Sequence, residues 1–337
     1  MPGSNAGHDF EWGRTMRQYI TRRVLQMIPI LIGVSIILYA VFSLAPGDIV
    51  EQVAGSKPNI SQKKIDDLKK VYGLDQNIVV RYGKWAAKAV KFDFGMSWKY
   101  KQPVSHVINT YVWNSFYLAV TSFILSFIIA IPIGVVSATK QYSIFDQFFT
   151  IFALIGISVP TFFFGLLLIK WLAVDLKIFP VSGMEAIGSS KHGIARTLDV
   201  LHHMFLPFVV LTLGGVAGYM RYSRTSMLEV IRQDYVRTAR AKGLSEKVVI
   251  YKHALRNGLI PIITILGLSL SGLFGGAIMT ESIFKWPGIG TVALQSLNSR
   301  DYPFLMGFNM LIAILTLLGN LIADITYALV DPRVRLK

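Results

Sequence analysis

Residues Tyr111–Ala138 read YVWNSFYLAVTSFILSFIIAIPIGVVSA and contain no Asp, Glu, Lys or Arg. A helix needs about 20 apolar residues to cross the hydrocarbon core of a bilayer, so this run reads as a membrane span. Five further runs lack charge in the same way: Val24–Ala45, Gln147–Ile169, Met204–Met220, Asn257–Thr280 and Phe304–Ala323. Met204–Met220 is at the short limit and contains Pro207. The whole chain is 53% hydrophobic and 16% charged. Soluble domains average about 45–50% apolar and about 25% charged, and both departures point to a membrane.

The net charge of +15 would suggest nucleic acid in a soluble protein. Here the basic residues gather at the ends of the apolar runs, so membrane topology accounts for them and no nucleic-acid partner is expected. The absence of cysteine rules out disulfides, thiolate metal sites and Cys nucleophiles.

Arg14, Arg17, Arg22 and Arg23 precede the first run and place the N-terminus inside. Residues 1–15 read as a disordered cytoplasmic tail and 16–45 as the first span. A signal peptide also begins basic, with Ser43–Ala45 as a cleavage site, but Val24–Ala45 exceeds the roughly 7–15 residues of a signal core. Residues 46–110 form an extracytoplasmic loop. In it Ser61 can cap a helix with Ile65, Leu68, Val71 and Tyr72 on one face and Gly73 at its end. Val79–Val90 reads as a second amphipathic helix with Tyr82, Trp85 and Ala89 on its apolar side.

Residues 111–330 hold five more spans, at about 111–138, 147–172, 204–220, 257–280 and 304–327. A short inner turn at Thr139–Asp146 joins the second and third, Lys170 snorkels at the outer end of the third, and residues 331–337 form a basic inner tail. The fold class is therefore all-α membrane protein, with six transmembrane helices and both termini cytoplasmic. Gly214/Gly218 and Gly272/Gly276 are GxxxG pairs for close helix packing, within the chain or against a second membrane subunit.

The cytoplasmic loop 221–256 carries Arg221, Arg224, Arg232, Arg237, Arg240, Lys242, Lys247, Lys252 and Arg256 against Glu229, Asp234 and Glu246. It is either a solvated connection or a docking surface for a cytoplasmic partner, and the second reading accounts better for its short helix with basic flanks. No nucleotide site accompanies it. Gly183–Ser190 has the glycine spacing of a P-loop but Ser189 where the phosphate-binding Lys belongs. His202 and His203 are adjacent, point about 100° apart on a helix and cannot chelate together. Asp324 lies near the inner end of the last span. Intramembrane acids often mark ion paths, but pairing with a basic residue of the large loop is the plainer expectation.

Tyr235–Arg256 resembles the EAA loop of ABC-importer permeases. Anchored on Gly243, Arg237, Thr238 and Ala239 fall at the EAA positions, and His253, Ala254, Leu255 and Arg256 at the Ile-x-Leu-Pro positions. Only Ala239, Gly243 and Leu255 match the general form, but YVRTARAKGL followed by HALRN is typical of permeases for dipeptides, oligopeptides and nickel. Further stretches are similar to that subfamily: LAPGD (Leu44–Asp48), YGLD (Tyr72–Asp75), DFGMS (Asp93–Ser97), FPVSG (Phe179–Gly183), ESIFKWPGIG (Glu281–Gly290), RDYP (Arg300–Pro303) and DPRVR (Asp331–Arg335). The resemblance covers Met16 to Arg335 and is to the B-type permease.

It implies a type I importer architecture in a bacterial or archaeal cell membrane. It also implies a homologous second permease, two cytoplasmic ATPases that hold ATP and Mg, and an extracytoplasmic solute-binding lipoprotein. This chain would bind no cofactor or metal and catalyse nothing itself. Arg237, Thr238, Ala239, Arg240, Ala241, Lys242, Gly243, Leu244, Glu246, Lys247, His253 and Leu255 would couple it to the ATPase. Gly243 and Ala239 would allow close approach, and Arg240, Lys242 and Lys247 would pair with acids at the groove rim. Glu281, Trp286, Pro287, Gly288 and Gly290 form a candidate gate or docking element for the binding protein, the alternative being a tight turn before the last span. Oligopeptide is the first substrate expectation, with dipeptides, nickel chelates or oligosaccharides as alternatives. An ion-coupled secondary transporter would need ion-coupling residues at mid-bilayer, which the uncharged runs do not supply, and an intramembrane enzyme would need a catalytic pair on facing helices, of which none stands out.

Overall fold

The computed structural model describes residues 5–45, 63, 67, 70, 75–188 and 191–330. Apart from one isolated bridge between Met96 and Pro103, its regular structure is helical among those residues. LAPGD beyond Ala45, most of the helix expected after Ser61, YGLD before Asp75, Ser189 of the P-loop-like run and DPRVR lie outside the described residues.

Helix α1 is Asn5–Leu44. Residues 5–15, expected as an unstructured tail, are thus continuous with the first span. Extending an existing helix adds a hydrogen bond per residue with no new nucleation cost, and no proline interrupts this stretch. Helix α2 (Ile78–Ala89) starts at Asn77, whose side chain accepts from Val79 N at 2.9 Å. Its aromatic face lies on α1: Tyr39 meets the rings of Tyr82 and Trp85, each with centroids 5.5 Å away, and Ser35 Oγ is 2.9 Å from Tyr82 Oη.

Helix α3 (Val104–Thr139) packs along α6 (Ile194–Ile231). In α3 the buried residues Ser122, Ser126, Ala130, Gly134 and Ala138 recur every four positions and form one stripe. Against them α6 buries Val216, Ala217, Met220, Ser223 and Met227. Ser126 Oγ reaches Thr212 O at 3.0 Å, and a Cβ added to Gly134 would stand 2.6 Å from Ser223 Cβ. Lipid is as apolar as leucine, so such contacts gain van der Waals energy from close approach rather than from transfer out of water. At about 1.5 Å per residue the 38-residue α6 is about 57 Å long, well beyond the roughly 30 Å hydrocarbon core. It therefore carries Arg221–Ile231 out of the membrane as helix.

Two expected spans are broken. The third is α4 (Ile144–Ser158) and α5 (Thr161–Leu168), the latter continued by a π-helical turn, Ile169–Asp175; the two halves meet at 99°. Pro160 has no N–H to continue the ladder, and Val159 before it is extended with ψ 123°. Lys170 pairs with Asp175 at 2.7 Å across that turn instead of only snorkelling.

After α6 come α7 (Asp234–Ala241), α8 (Glu246–Val248), a π-helical turn Val249–Ala254 and α9 (Leu255–Gly258). The expected fifth span is then split into α10 (Ile260–Leu268) and α11 (Leu270–Gly275), ending at Gly276 with φ +78°. Helices α12 (Ile278–Ile283), α13 (Ile289–Asn298) and α14 (Tyr302–Val330) complete the chain. Among the described residues four helices are long and apolar enough to span alone, and five if the bent pair is one span.

Candidate functional site

The loop 221–256 is a folded platform. Val236 and Ala239, three apart on α7, are buried against Val249, Ile250 and Ala254, and that cluster rests on Val135 and Ala138 of α3 and Met227 of α6. Ala239 is therefore packed inside this chain and does not face a partner, which corrects the role expected for it: its small side chain lets α7 lie against the turn Val249–Ala254. His253 and Leu255 are half-buried. Arg237, Thr238, Arg240, Ala241, Lys242, Gly243, Leu244, Glu246 and Lys247 are exposed, together with Tyr235, Val248 and Tyr251.

Gly243 closes the turn between α7 and α8 with φ +73°, a conformation that costs an L-residue about 1–2 kcal/mol. A Cβ there would meet nothing within 4 Å in this chain. Glycine is needed for the turn itself. Arg240 spans the turn, with Nε and Nη2 on the Glu246 carboxylate at 3.1 and 2.7 Å, and holds that carboxyl below its ordinary pKa. Arg240 is thus already paired within the chain. Arg237 lies 3.7 Å from Asp234, both highly exposed.

The second expected element is folded inward. Trp286 is 1% exposed and Glu281 fully buried, so neither offers a docking surface. Glu281 Oε1 accepts from Ser115 Oγ at 2.6 Å and Ala277 N at 3.0 Å, and Oε2 accepts from Thr291 N at 3.0 Å. Thr291 is the third residue of α13, whose cap residue Gly288 has no side chain to bond the free N–H groups there. A Cβ on Gly288 would overlap the Glu281 carboxyl group. Glu281 therefore serves as the cap of α13 from ten residues away, in space that glycine leaves open. Ser115 Oγ also accepts from Ile289 N at 2.8 Å, Asn114 Nδ2 donates to Pro287 O at 2.8 Å, and Trp286 Nε1 donates to Asn114 O at 3.1 Å. These bonds tie 281–291 to α3.

Two buried carboxylates of comparable weight went unassigned in the sequence. Asp301 caps α14 and accepts from Ser97 Oγ, Trp98 N at 3.0 Å and Lys99 N at 3.2 Å, joining RDYP to the DFGMS turn. Aspartate followed by proline two residues on is a legible helix start, but its second partner, about two hundred residues away, is not. Asp146, 2% exposed, takes Arg224 Nε and Nη2 at 2.7 and 2.9 Å and Tyr142 N at 2.9 Å. This ties the Thr139–Asp146 turn to the length of α6 that carries the platform. Asp324 pairs with Arg23 of α1 at 3.3 Å, not with the large loop.

Of the GxxxG glycines, Gly214 has only Thr161 Cγ2 near, at 3.9 Å, and Gly218 and Gly272 have nothing within 4 Å. Gly276 is tight against Gly290 and Glu281. Close intrachain approaches of helical glycines are at Gly134, Gly156, Gly215, Gly258, Gly267 and Gly307 instead. His202 Nε2 is 2.9 Å from Ile178 O, and His203 Nδ1 is 2.8 Å from Asp199 O.

Comparison with known proteins places this architecture. The family described as binding-protein-dependent transport system inner membrane component matches residues 130–336, and its N-terminal companion matches 16–119. The oligopeptide transport system permease protein AppB of Bacillus subtilis is 43% identical over 95% of this chain and 99% of its own length. The dipeptide transport system permease protein DppB of Escherichia coli is 37% identical over 96% of this chain and its whole length. In fold, the chain is similar to a structure of the MetNI methionine ABC transporter in an inward-facing conformation. That match has a TM-score of 0.51 at 19% identity, over 67% of this chain and 96% of the other. The chain belongs to the family of binding-protein-dependent transport system inner membrane components, as a B-type permease of the ABC-importer kind.

Proposed function

We propose that the chain forms half of the pore of an ATP-driven importer of short peptides, oligopeptides first and dipeptides second. The peptide class rests on the names of its relatives. Two cytoplasmic ATPases, carrying the ATP and Mg, seat on the platform 235–256, and a homologous permease completes the pore. A solute-binding lipoprotein delivers peptide to the opposite face, and both termini are cytoplasmic.

The observation that carries the coupling role is the pairing of a buried underside with an exposed apolar and basic top. Val236, Ala239, Val249 and Ile250 fix the platform to α3 and α6, while Tyr235, Leu244, Val248 and Tyr251 remain exposed among cations. Closure of the ATPases would move this unit rigidly with both helices. Because a Cβ added at half-buried Gly218 or exposed Gly272 would meet nothing of this chain within 4 Å, these glycines suit the contact with the second permease.

Gentle purification of the tagged chain from its native membrane should recover a second permease, two P-loop ATPases and a solute-binding lipoprotein whose bound ligand names the substrate. Gly243→Val should leave that assembly recoverable and reduce peptide-driven ATP hydrolysis at least tenfold. Recovery of the chain alone, with ion-driven uptake in liposomes, would overturn the reading. Full coupled hydrolysis in the Gly243 variant would remove the platform from the mechanism.

A further inference from the structure

A cavity of about 830 Å³ opens between the C-terminal end of α1, helix α2, the turn 93–101 and the start of α14. That lies within the about 300–1,000 Å³ of small-molecule pockets. Its cations are Lys70, Arg81, Lys84, Lys88 and Lys101, with Asp93 as the one acid among its described lining residues. Arg81, Lys84 and Lys88 follow one another at helical spacing along a single side of α2. Lys84 Nζ bonds the neutral Gln76 Oε1 at 2.7 Å and forms no ion pair among the described residues. Asp93 spends Oδ1 on Gly95 N at 3.0 Å.

The inner wall is aromatic, from Tyr39 and Phe42 of α1 and Trp85 of α2. Trp85 Nε1 is buried and has no hydrogen-bond partner among the described residues. A buried donor left unmade costs about 1–3 kcal/mol, and native structures keep few of them. A ring of cations around a wall that holds an unused N–H is suited to an oxyanion.

We propose that this cavity binds the phosphodiester headgroup of an anionic membrane phospholipid, with the acyl chains laid along α1. The position decides for lipid. Tyr and Trp gather at the membrane–water interface; Tyr39 and Phe42 stand at the end of a span, and Trp85 of α2 packs on Tyr39. From the cavity inward α1 exposes Ile36, Ile37 and Val41 to the surroundings, a path for hydrocarbon. The proposed topology places the site in the extracytoplasmic leaflet; the chemistry does not depend on it. A lipid bound here would hold α1, the most peripheral of the continuous spans, against α2 and α14.

The test is native mass spectrometry of the purified full chain titrated with phosphatidylglycerol, phosphatidylcholine or inorganic phosphate. Phosphatidylglycerol should bind and resist removal, and phosphatidylcholine should bind much more weakly. One Lys or Arg near a membrane surface is worth roughly a fivefold change in affinity. Arg81→Gln, Lys84→Gln and Lys88→Gln together should therefore weaken phosphatidylglycerol binding about a hundredfold. Trp85→Phe keeps the ring and removes the donor, and should weaken it roughly fivefold without changing the elution of the protein.

Equal binding of the two lipids, or unchanged binding in both variants, would overturn the proposal. Tight binding of inorganic phosphate alone would assign the site to a free anion instead. If the triple variant kept its phosphatidylglycerol but lost capture of the solute-binding protein, the cations would belong to a protein interface. Each of these results is separable from the importer reading, which the recovered subunits decide.

Discussion

The two halves of the bundle solve one problem in different ways. Near the DFGMS turn, the buried carboxylates Glu281 and Asp301 are held by hydroxyls and backbone N–H groups, with no ion pair on either among the described residues. Near the platform, Asp146 takes two bonds from a guanidinium beside one from the Tyr142 N–H, and Glu246 is held by a second guanidinium. Backbone donors cannot rotate away, and they cannot exchange a protein partner for a water or a headgroup. Side-chain cations can. The first half is built as a fixed corner, tying 281–301 to α3 and to the turn before it, while the second is joined by contacts that can loosen. That division suits a machine driven from the platform side.

The sharpest way to break the comparison is at Glu281. Glu281→Leu keeps bulk but strands Ser115 Oγ and the N–H groups of Ala277 and Thr291, at about 1–3 kcal/mol each. A loss of at least about 3 kcal/mol is expected, read as early unfolding of the purified chain in a thermal scan. The cap reading makes a further demand. A Cβ on Gly288 would also overlap Ser115 Oγ, so Glu281→Ala with Ser115→Ala vacates the space beside Gly288, and adding Gly288→Ser to that background supplies an N-cap hydroxyl and should restore about 1 kcal/mol. In the presence of Glu281, Gly288→Ser should instead destabilise, because its Cβ overlaps the carboxyl group. Equal effects in both backgrounds would remove Glu281 from its role as cap.

Asp146 and Arg224 should respond less. Breaking a fully buried pair costs about 3–5 kcal/mol, but the Arg224 side chain is 23% exposed and solvent screens part of the loss. Arg224→Gln is expected to cost about 1–3 kcal/mol and to uncouple more than it unfolds, with ATP hydrolysis continuing while uptake falls several-fold. Added salt should narrow the difference between wild type and Arg224→Gln, and leave that between wild type and Glu281→Leu unchanged. Salt-insensitive behaviour of both would erase the distinction between the halves.

Much of this arrangement is visible in the sequence where it depends on local pattern. The uncharged runs mark the spans, and the basic loop marks the platform. The apolar side of α2 lies where Tyr82, Trp85 and Ala89 put it. Pro160 carried its signal, yet the run around it was long enough to hide a 99° bend. The breaks at Ser269 and Gly276 fall inside an uncharged run, in a stretch, Gly267–Gly276, whose two serines and four glycines serve close helix packing as readily as a break. The packing stripe of α3 was legible as small residues every four positions, but GxxxG drew the eye to Gly214 when the contact is at Gly215. Ala239 was misread because Val236, three residues before it, already marked that side of α7 as buried. The pairings of Asp146 with Arg224, of Glu281 with Ser115 and of Asp301 with Ser97 join residues 78 to 204 apart. No local pattern fixes which distant donor a buried carboxylate will find.

The smallest expected effect tests the loose end of the comparison most directly. Arg240 and Glu246 close the turn around Gly243, and Glu246 is 62% exposed. Such a surface pair contributes at most about 1 kcal/mol, so Glu246→Gln should leave thermal stability nearly unchanged. Arg240 lowers the Glu246 pKa in the folded chain. The pair's contribution is therefore complete above the ordinary carboxylate value and disappears as pH falls through the lowered one. At neutral pH no dependence should arise from it. What the pair does supply is a single shape for the turn proposed to face the ATPase. Without it α7 and α8 can hinge about Gly243, and coupled uptake should fall two- to threefold with stability intact. If uptake in Glu246→Gln equals wild type across neutral and alkaline pH, the turn is held by its buried underside alone. The platform would then be as fixed as the Glu281 corner, and the contrast between the halves would reduce to chemistry without mechanical consequence.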